Sequence, residues 1–258
     1  MTLSIAFVTH KGLEKYSINQ DALLIDGKCY AGTSMEKVES MTCNISEPKL
    51  FAVSDGVGST PHAHKASEKV LTFLQSSFET CTTFQPVRVT RNIQESMANL
   101  AIAKPEFRGM AATLAGLHIN REKATVFNTG DSRVYLMREE KITQLSKDHT
   151  QAQCMLDNGE ISEERFAELS DIYSMLEGYL VAGELDEEDI PVDISKFTLR
   201  ERDMLLLCSD GVSDVLHDDE IGEILGLKVG TLKKCEKLFQ KVYTSAVDNI
   251  SMIMVEVG

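Results

Sequence analysis

Phe51-Ala52-Val53-Ser54-Asp55-Gly56-Val57-Gly58-Ser59 and Leu205-Leu206-Leu207-Cys208-Ser209-Asp210-Gly211-Val212-Ser213-Asp214 share one pattern. Each is an apolar run of strand length that ends in Ser-Asp-Gly. The matching hexamers, SDGVGS and SDGVSD, begin at Ser54 and at Ser209, far apart in the chain. Three more acids stand at the ends of β-like runs. Asp131 follows one in Phe127-Asn128-Thr129-Gly130-Asp131-Ser132, Asp248 precedes the C-terminal run, and Asp21 precedes an early one in Asn19-Gln20-Asp21. A lone Asp-Gly after a strand is ordinary turn chemistry. Five acids so placed can converge on one rim of a sheet, where carboxylates repel one another unless a cation neutralises them. Hard oxygen ligands select Mg²⁺, Mn²⁺ or Ca²⁺ over zinc. A glycine directly after the acid lets the backbone approach closely, so the Gly56 carbonyl is a further candidate ligand.

Outward from these stretches, short β-like runs dominate: Leu3 to Val8, Ala22 to Ile25, Leu50 to Val53, Thr113 to Ile119, Ala124 to Phe127, Arg133 to Met137, Met204 to Cys208 and Ile250 to Val257. They are rich in Val, Ile, Leu and Phe, and several alternate with period two. Three stretches carry the apolar stripe of a helix lying against a sheet. Residues 62 to 78 align Ala66, Val70, Phe73, Leu74 and Phe78; residues 90 to 104 align Ile93, Met97, Leu100 and Ala101 and stop at Pro105; residues 231 to 247 align Leu232, Cys235, Leu238, Phe239, Val242 and Ala246. The two early helices are consecutive and hairpin-like strands follow them. That order predicts antiparallel sheets with helices outside rather than regular β-α-β alternation. Residues 150 to 190 are acidic and weakly β-like (Asp157, Glu160, Glu163, Glu164, Glu168, Asp171, then Glu184 to Asp189), and predict a helical surface insertion, a flap over a site. No linker divides the chain, so one domain spanning 1–258 is expected.

The 258 residues are 43% apolar and 26% charged, ordinary for a globular protein with a substantial core. The net charge of −14 gives little attraction to nucleic acid or an anionic membrane, so neither is expected as a partner. Six cysteines at 29, 43, 81, 154, 208 and 235 form no C-x-x-C pair, and they read as reduced thiols of a cytosolic protein. The opening MTLSIAFVTHKG turns polar too soon for a secretory leader, and no apolar run approaches the ~20 residues that span a bilayer. A cytoplasmic location is expected.

The motifs together resemble the PPM/PP2C family of metal-dependent protein phosphatases, particularly its compact bacterial type. They run in the family's order along almost the whole chain: Asn19-Gln20-Asp21-Ala22; Phe51 to Gly58 with Ala66-Ser67 in the following helix; Gly109-Met110-Ala111-Ala112-Thr113-Leu114; Gly130-Asp131-Ser132-Arg133; Lys147-Asp148-His149-Thr150; Leu207 to Val212; and Asp248-Asn249-Ile250-Ser251. The resemblance implies an α+β fold, a four-layer α-β-β-α sandwich of two antiparallel sheets flanked by helices, with its metals at one end. It implies hydrolysis of phosphoserine and phosphothreonine in proteins by water that a pair of Mn²⁺ or Mg²⁺ ions activates. By the same resemblance Asp55 bridges the two metals with the Gly56 carbonyl on one of them, Asp210 and Asp248 ligate the other, and Asp21 ligates directly or holds a metal-bound water. Asp131 supports a third, weaker site. The implied partner is the phosphoprotein substrate of a Ser/Thr kinase, and a monomer is expected.

Several positions depart from the family pattern. Tyr16 stands where many relatives carry a phosphate-contacting arginine, with Lys15 beside it, and Gln20 replaces a common Glu. Substrate-phosphate ligands are therefore not assigned. His62 or His64 is a candidate general acid, since histidine titrates near neutral pH; the alternative is a pair of exposed residues at a helix start. Arg133 is expected to be a structural hydrogen-bonding fork, and His149 a structural residue. Two other functions compete: a pseudophosphatase that binds phosphoproteins as a regulatory module, and another metal-dependent phosphoesterase such as a nuclease. The acidic charge opposes the latter. The acidic flap suggests basic phosphopeptides as substrates.

Overall fold

The computed structural model describes residues 1–13, 17–170, 172–184 and 190–258. Among them, two six-stranded sheets lie face to face, and every strand pair is antiparallel. The first sheet runs β10 (Lys141–Gln144), β9 (Arg133–Arg138), β13 (Met204–Cys208), β14 (Ile250–Val257), β1 (Thr2–His10), β4 (Glu39–Asn44). The second runs β12 (Asp193–Thr198), β8 (Lys123–Thr129), β7 (Leu114–Asn120), β5 (Lys49–Ser54), β2 (Ala22–Ile25), β3 (Lys28–Ala31). A two-stranded ladder, β6 (Ala111–Ala112) with β11 (Leu180–Val181), stands apart. Central strands such as β13, Met-Leu-Leu-Leu-Cys, are buried along their whole length. They are covered on both faces, so their sequence is a continuous apolar run rather than an alternation.

Helices close the sandwich. α1 (Ala63–Thr80) and α2 (Pro86–Ala103) pack on the second sheet through Val70, Leu71, Leu74, Ile93 and Met97, against Leu24, Leu50 and Ala52. α6 (Asp218–Leu225) and α7 (Thr231–Tyr243) cover the first sheet through Ile221, Leu225, Cys235, Leu238 and Val242. The expected α-β-β-α order is therefore observed. α2 starts earlier than its apolar stripe suggested, at Pro86, because proline fits the first helical turn, where its missing N–H costs nothing. α7 stops at Tyr243, short of the expected 247.

Among the described residues of the acidic segment, helix is confined to its first half, in two short stretches, and the residues from 172 to 184 are not helical. α3 (Gln151–Asp157) starts at Thr150, whose hydroxyl accepts from the Gln153 N–H, and α4 (Glu163–Leu169) starts at Ser162, which accepts from Arg165 N–H. Asp171 and residues 185–189 of that segment lie outside the described residues. The segment then returns through β11 to the ladder beside α2.

Candidate metal centre

The five acids come from widely separated segments and arrive at one end of the sandwich. Asp55 follows β5 and Asp21 precedes its neighbour β2, which pairs with it antiparallel, so both acids sit at the same end of the second sheet. Asp248 precedes β14. Asp210 follows β13 and opens a short helix, α5 (Asp210–Ser213); it is the first helical residue rather than part of a plain turn. Asp131 lies in the turn that carries the chain from β8 of one sheet to β9 of the other. Asp55, Gly56, Asp131, Asp210, Asp248 and Gln20 line a cleft of about 500 Å³. Asp21 lies behind it, buried, and accepts from Ser209 Oγ at 2.8 Å.

The proton affinities show how close these charges stand. Burial, reinforced by Asp210, pushes Asp21 up to about 7. Burial, then Asp21 and Asp210, pushes Asp55 well above the carboxylate range, and burial with Asp210 does the same to Asp131. Oδ1 of Asp21 and Oδ1 of Asp210 are buried without a hydrogen-bond partner among the described residues. Orphaned buried carboxylate oxygens beside like charges are costly, and a cation relieves both costs. The donor set is all oxygen, so it suits hard divalent ions. The acids share a cleft rather than a finished cage: among the described residues no three His, Cys, Asp or Glu side chains close into a ligating cluster.

A polar scaffold holds the acids. The Asp55 N–H donates to Thr113 Oγ1 at 3.0 Å and the Thr113 N–H donates back to the Asp55 carbonyl at 2.8 Å; Ser54 Oγ donates to the Thr113 carbonyl at 2.6 Å. The Gln20 N–H donates to Asn249 Oδ1, joining the segments before β2 and β14 across the two sheets. The Ser251 N–H donates to Ser209 Oγ, whose own proton goes to Asp21. Gly56 sits where a Cβ would meet the Ala63 carbonyl oxygen at 2.3 Å, so only glycine lets the start of α1 close on this loop. Gly56 aside, these supporting residues were not assigned roles from sequence. The available signal was the serine before each Asp-Gly, at Ser54 and Ser209.

The other candidates divide. His62 precedes α1 in left-handed backbone (φ 53°) and packs edge-on against Phe107 at 5.5 Å. Neither it nor His64 is among the residues that line the cleft. Arg133 is engaged elsewhere: its guanidinium reaches Asp148 Oδ2 at 2.7 and 2.9 Å and Tyr135 Oη at 3.1 Å. His149 is a hub. Its Nδ1 accepts from the Gly130 N–H at 3.0 Å, which places the ring proton on Nε2, 2.9 Å from Asp193 Oδ2. Its carbonyl accepts from Glu177 N–H, so the turn that carries Asp131 is tied to the insertion. Tyr16 and Lys15 lie outside the described residues.

The protein-family model for protein phosphatase 2C matches residues 39–248. The serine/threonine phosphatase stp of Listeria innocua is 27% identical over 222 residues, 83% of this chain and 86% of that protein. Among solved structures, the serine/threonine phosphatase PstP/Ppp of Mycobacterium tuberculosis superposes with a TM-score of 0.77 at 24% identity, covering 100% of this chain and 99% of that one. A structure of the catalytic domain of PstP in complex with two manganese ions superposes with a TM-score of 0.74, also at 24% identity, and covers all of both chains.

Proposed function

The chain belongs to the protein phosphatase 2C family, and on that premise we propose that it hydrolyses phosphoserine and phosphothreonine in proteins with divalent metal ions in the acidic cleft. The observation that carries this reading is the meeting of Asp21, Asp55, Asp131, Asp210 and Asp248 at one end of the sandwich, with two carboxylate oxygens left unpartnered. Asp55 and the Gly56 carbonyl would hold one ion, Asp55, Asp210 and Asp248 a second, with Asp21 behind them, and Asp131 a weaker third. The two manganese ions in the PstP structure support the pair; Mg²⁺ and Mn²⁺ both suit the donors. Bound there, two divalent ions make water acidic and offset the charge of the phosphoryl group.

The chain's own contribution is placement. Thr113 and Ser54 fix the Asp55 loop, Ser209 fixes Asp21, and Asn249 fixes Gln20, so little reorganisation is left for the reaction itself. Gln20, Ser59, Ser174 and Tyr179 offer neutral donors along the walls for the phosphate oxygens. His62 does not line the cleft itself but stands just after Thr60 in the chain, which does, and it is the proposed proton donor to the leaving serine oxygen of a substrate that reaches past that wall. On that reading His62→Gln slows phosphopeptide turnover much more than that of p-nitrophenyl phosphate, whose leaving group needs no proton. A cytoplasmic monomer that reverses a Ser/Thr kinase completes the proposal. No helix among the described residues is long and apolar enough to cross a membrane.

Hydrolysis of p-nitrophenyl phosphate with and without Mn²⁺ tests the reading. Turnover should require the metal and fall by about 100-fold or more in Asp210→Asn, in the range that loss of a positioning contact costs. Metal-independent turnover, or an Asp210→Asn variant with full activity, refutes it.

A further inference from the structure

We propose that this cleft selects phosphoserine and phosphothreonine flanked by apolar residues, not by basic ones, with the insertion supplying the apolar wall; this rests on the phosphatase reading of the site.

Among the described residues, the acids of the insertion do not line the cleft. Glu160, Glu163, Glu164 and Glu168 belong to α4 and the turn before it, and none of them lines the cavity. What faces the cavity from this segment is Ser174, Met175, Leu176, Tyr179 and Val181. The lining residues from the loop after β5 and the stretch around β6, Val57, Gly58, Ser59, Thr60, Gly109 and Ala111, are also uncharged. No Lys, Arg or Glu stands among the described residues that line the cleft, and its acids are Asp55, Asp131, Asp210 and Asp248. Two divalent cations would offset four of the site's five carboxylates, Asp21 behind the cleft included, so the loaded cleft would keep little net charge with which to sort flanking lysines from flanking aspartates.

Apolar area is what remains. Met175, which lines the cleft, is 69% exposed, and Ile172, three residues before it in the chain, is 71% exposed. Ile18 and Val247, close in sequence to the site residues Gln20 and Asp248, are also exposed. The apolar side chains that line the cleft, Val57, Met175, Leu176 and Val181 among them, gain when a substrate covers them, at roughly 25 cal/mol per Å² of apolar surface removed from water. The cover is the substrate's own chain, because the phosphorylated residue can reach the cleft floor only if its neighbours lie on these walls. The insertion is held firmly enough to serve as a wall: Thr150 and Leu176 form a backbone bridge, and the Gln151 N–H donates to the Met175 carbonyl at 2.8 Å.

The test compares three phosphothreonine peptides of equal length, flanked on both sides by Leu and Met, by Lys, or by Asp. The apolar peptide should exceed both others in kcat/KM by about tenfold or more. In Met175→Ser, an exposed position where the fold is not at stake, the ratio between the apolar and the Lys peptides should shrink towards one. A second readout does not depend on turnover. In Mg²⁺-loaded protein carrying ¹³C-methyl methionine, the Met175 methyl resonance should shift on titration with a Leu/Met-flanked peptide bearing a non-hydrolysable phosphonate, and not with its Lys-flanked counterpart. Equal kcat/KM values, a preference for Lys, or an unmoved Met175 methyl overturns the proposal. If p-nitrophenyl phosphate is hydrolysed while the apolar preference is absent, only this inference falls; if neither it nor any peptide is hydrolysed with Mn²⁺, the phosphatase reading falls with it.

Discussion

Asp21 carries a heavy electrostatic cost. It is buried, faces Asp210 and has a proton affinity raised to about 7. In the unfolded chain an aspartate titrates near ~3.9. Between these values the folded protein holds a proton that the unfolded chain has released, so stability falls as pH rises through this window. Asp55 and Asp131 shift in the same direction. Melting in EDTA should therefore occur at lower temperature near pH 8 than near pH 5, and Asp21→Asn should shrink that drop. An unchanged slope in Asp21→Asn would disprove the coupling. His118 works in the opposite sense: burial against Phe84 lowers it to about 4, and its contribution is lost as pH falls. His149 tests the scaffold. Replacing it by Leu leaves the Gly130 N–H without its acceptor and Asp193 without its partner. Unfolding in urea should show a loss of about 1–3 kcal/mol, and the Mn²⁺ concentration for half-maximal activity should rise. Stability and metal requirement both equal to wild type would mean the hub is idle.

At the scale of elements, the apolar pattern separates the centre of each sheet from its edges. All eight runs read as strands are interior ones: β9, β13, β14 and β1 in the first sheet, β8, β7, β5 and β2 in the second. Of the six strands not anticipated, β10, β4, β12 and β3 are the four edges of the large sheets, and β6 and β11 form the small separate ladder. An edge strand has one neighbour and much open surface, so Glu-Ser-Met-Thr-Cys-Asn of β4 is nearly all exposed and shows neither an apolar run nor a buried alternation. The short α5 was hidden for another reason: Asp210-Gly211 reads as a turn, and only the packing of Gly211, whose Cβ would lie 1.8 Å from the Asn249 carbonyl oxygen, brings this segment against the start of β14. The junction between β5 and α1 is equally tight. Gly56→Ala must push the first turn of α1 away, shifting Asp55, and kcat should fall roughly 100-fold, as misplacements of about 1 Å do. Circular dichroism would check that the fold persists; activity close to wild type in a folded variant would mean the loop yields without moving the acid.

Across the whole molecule, the site is where the two sheets are sewn together. Asp21 and Asp55 belong to one sheet, Asp210 and Asp248 to the other, and Ser209–Asp21 and Gln20–Asn249 hydrogen bonds cross between them. An ion held there ties both layers, so it should stabilise the fold as a unit: Mn²⁺ at about 100 times its Kd adds about 2.7 kcal/mol. Calorimetry should show a single transition that moves up with Mn²⁺ and returns with EDTA; a melting temperature indifferent to Mn²⁺ at activating concentrations would exclude binding at this seam. The amino-acid sequence by itself determined the interior strands, the helix faces and the identity of the five acids, because burial on a regular element leaves a periodic trace and each acid sits beside an apolar run. Only the tertiary structure decided which supports hold those acids, that the insertion's Met175 and Leu176 line the cleft while its described glutamates do not, and that Arg133 is committed to Asp148. Those outcomes depend on contacts between residues distant in the chain, and such contacts leave no period in one dimension.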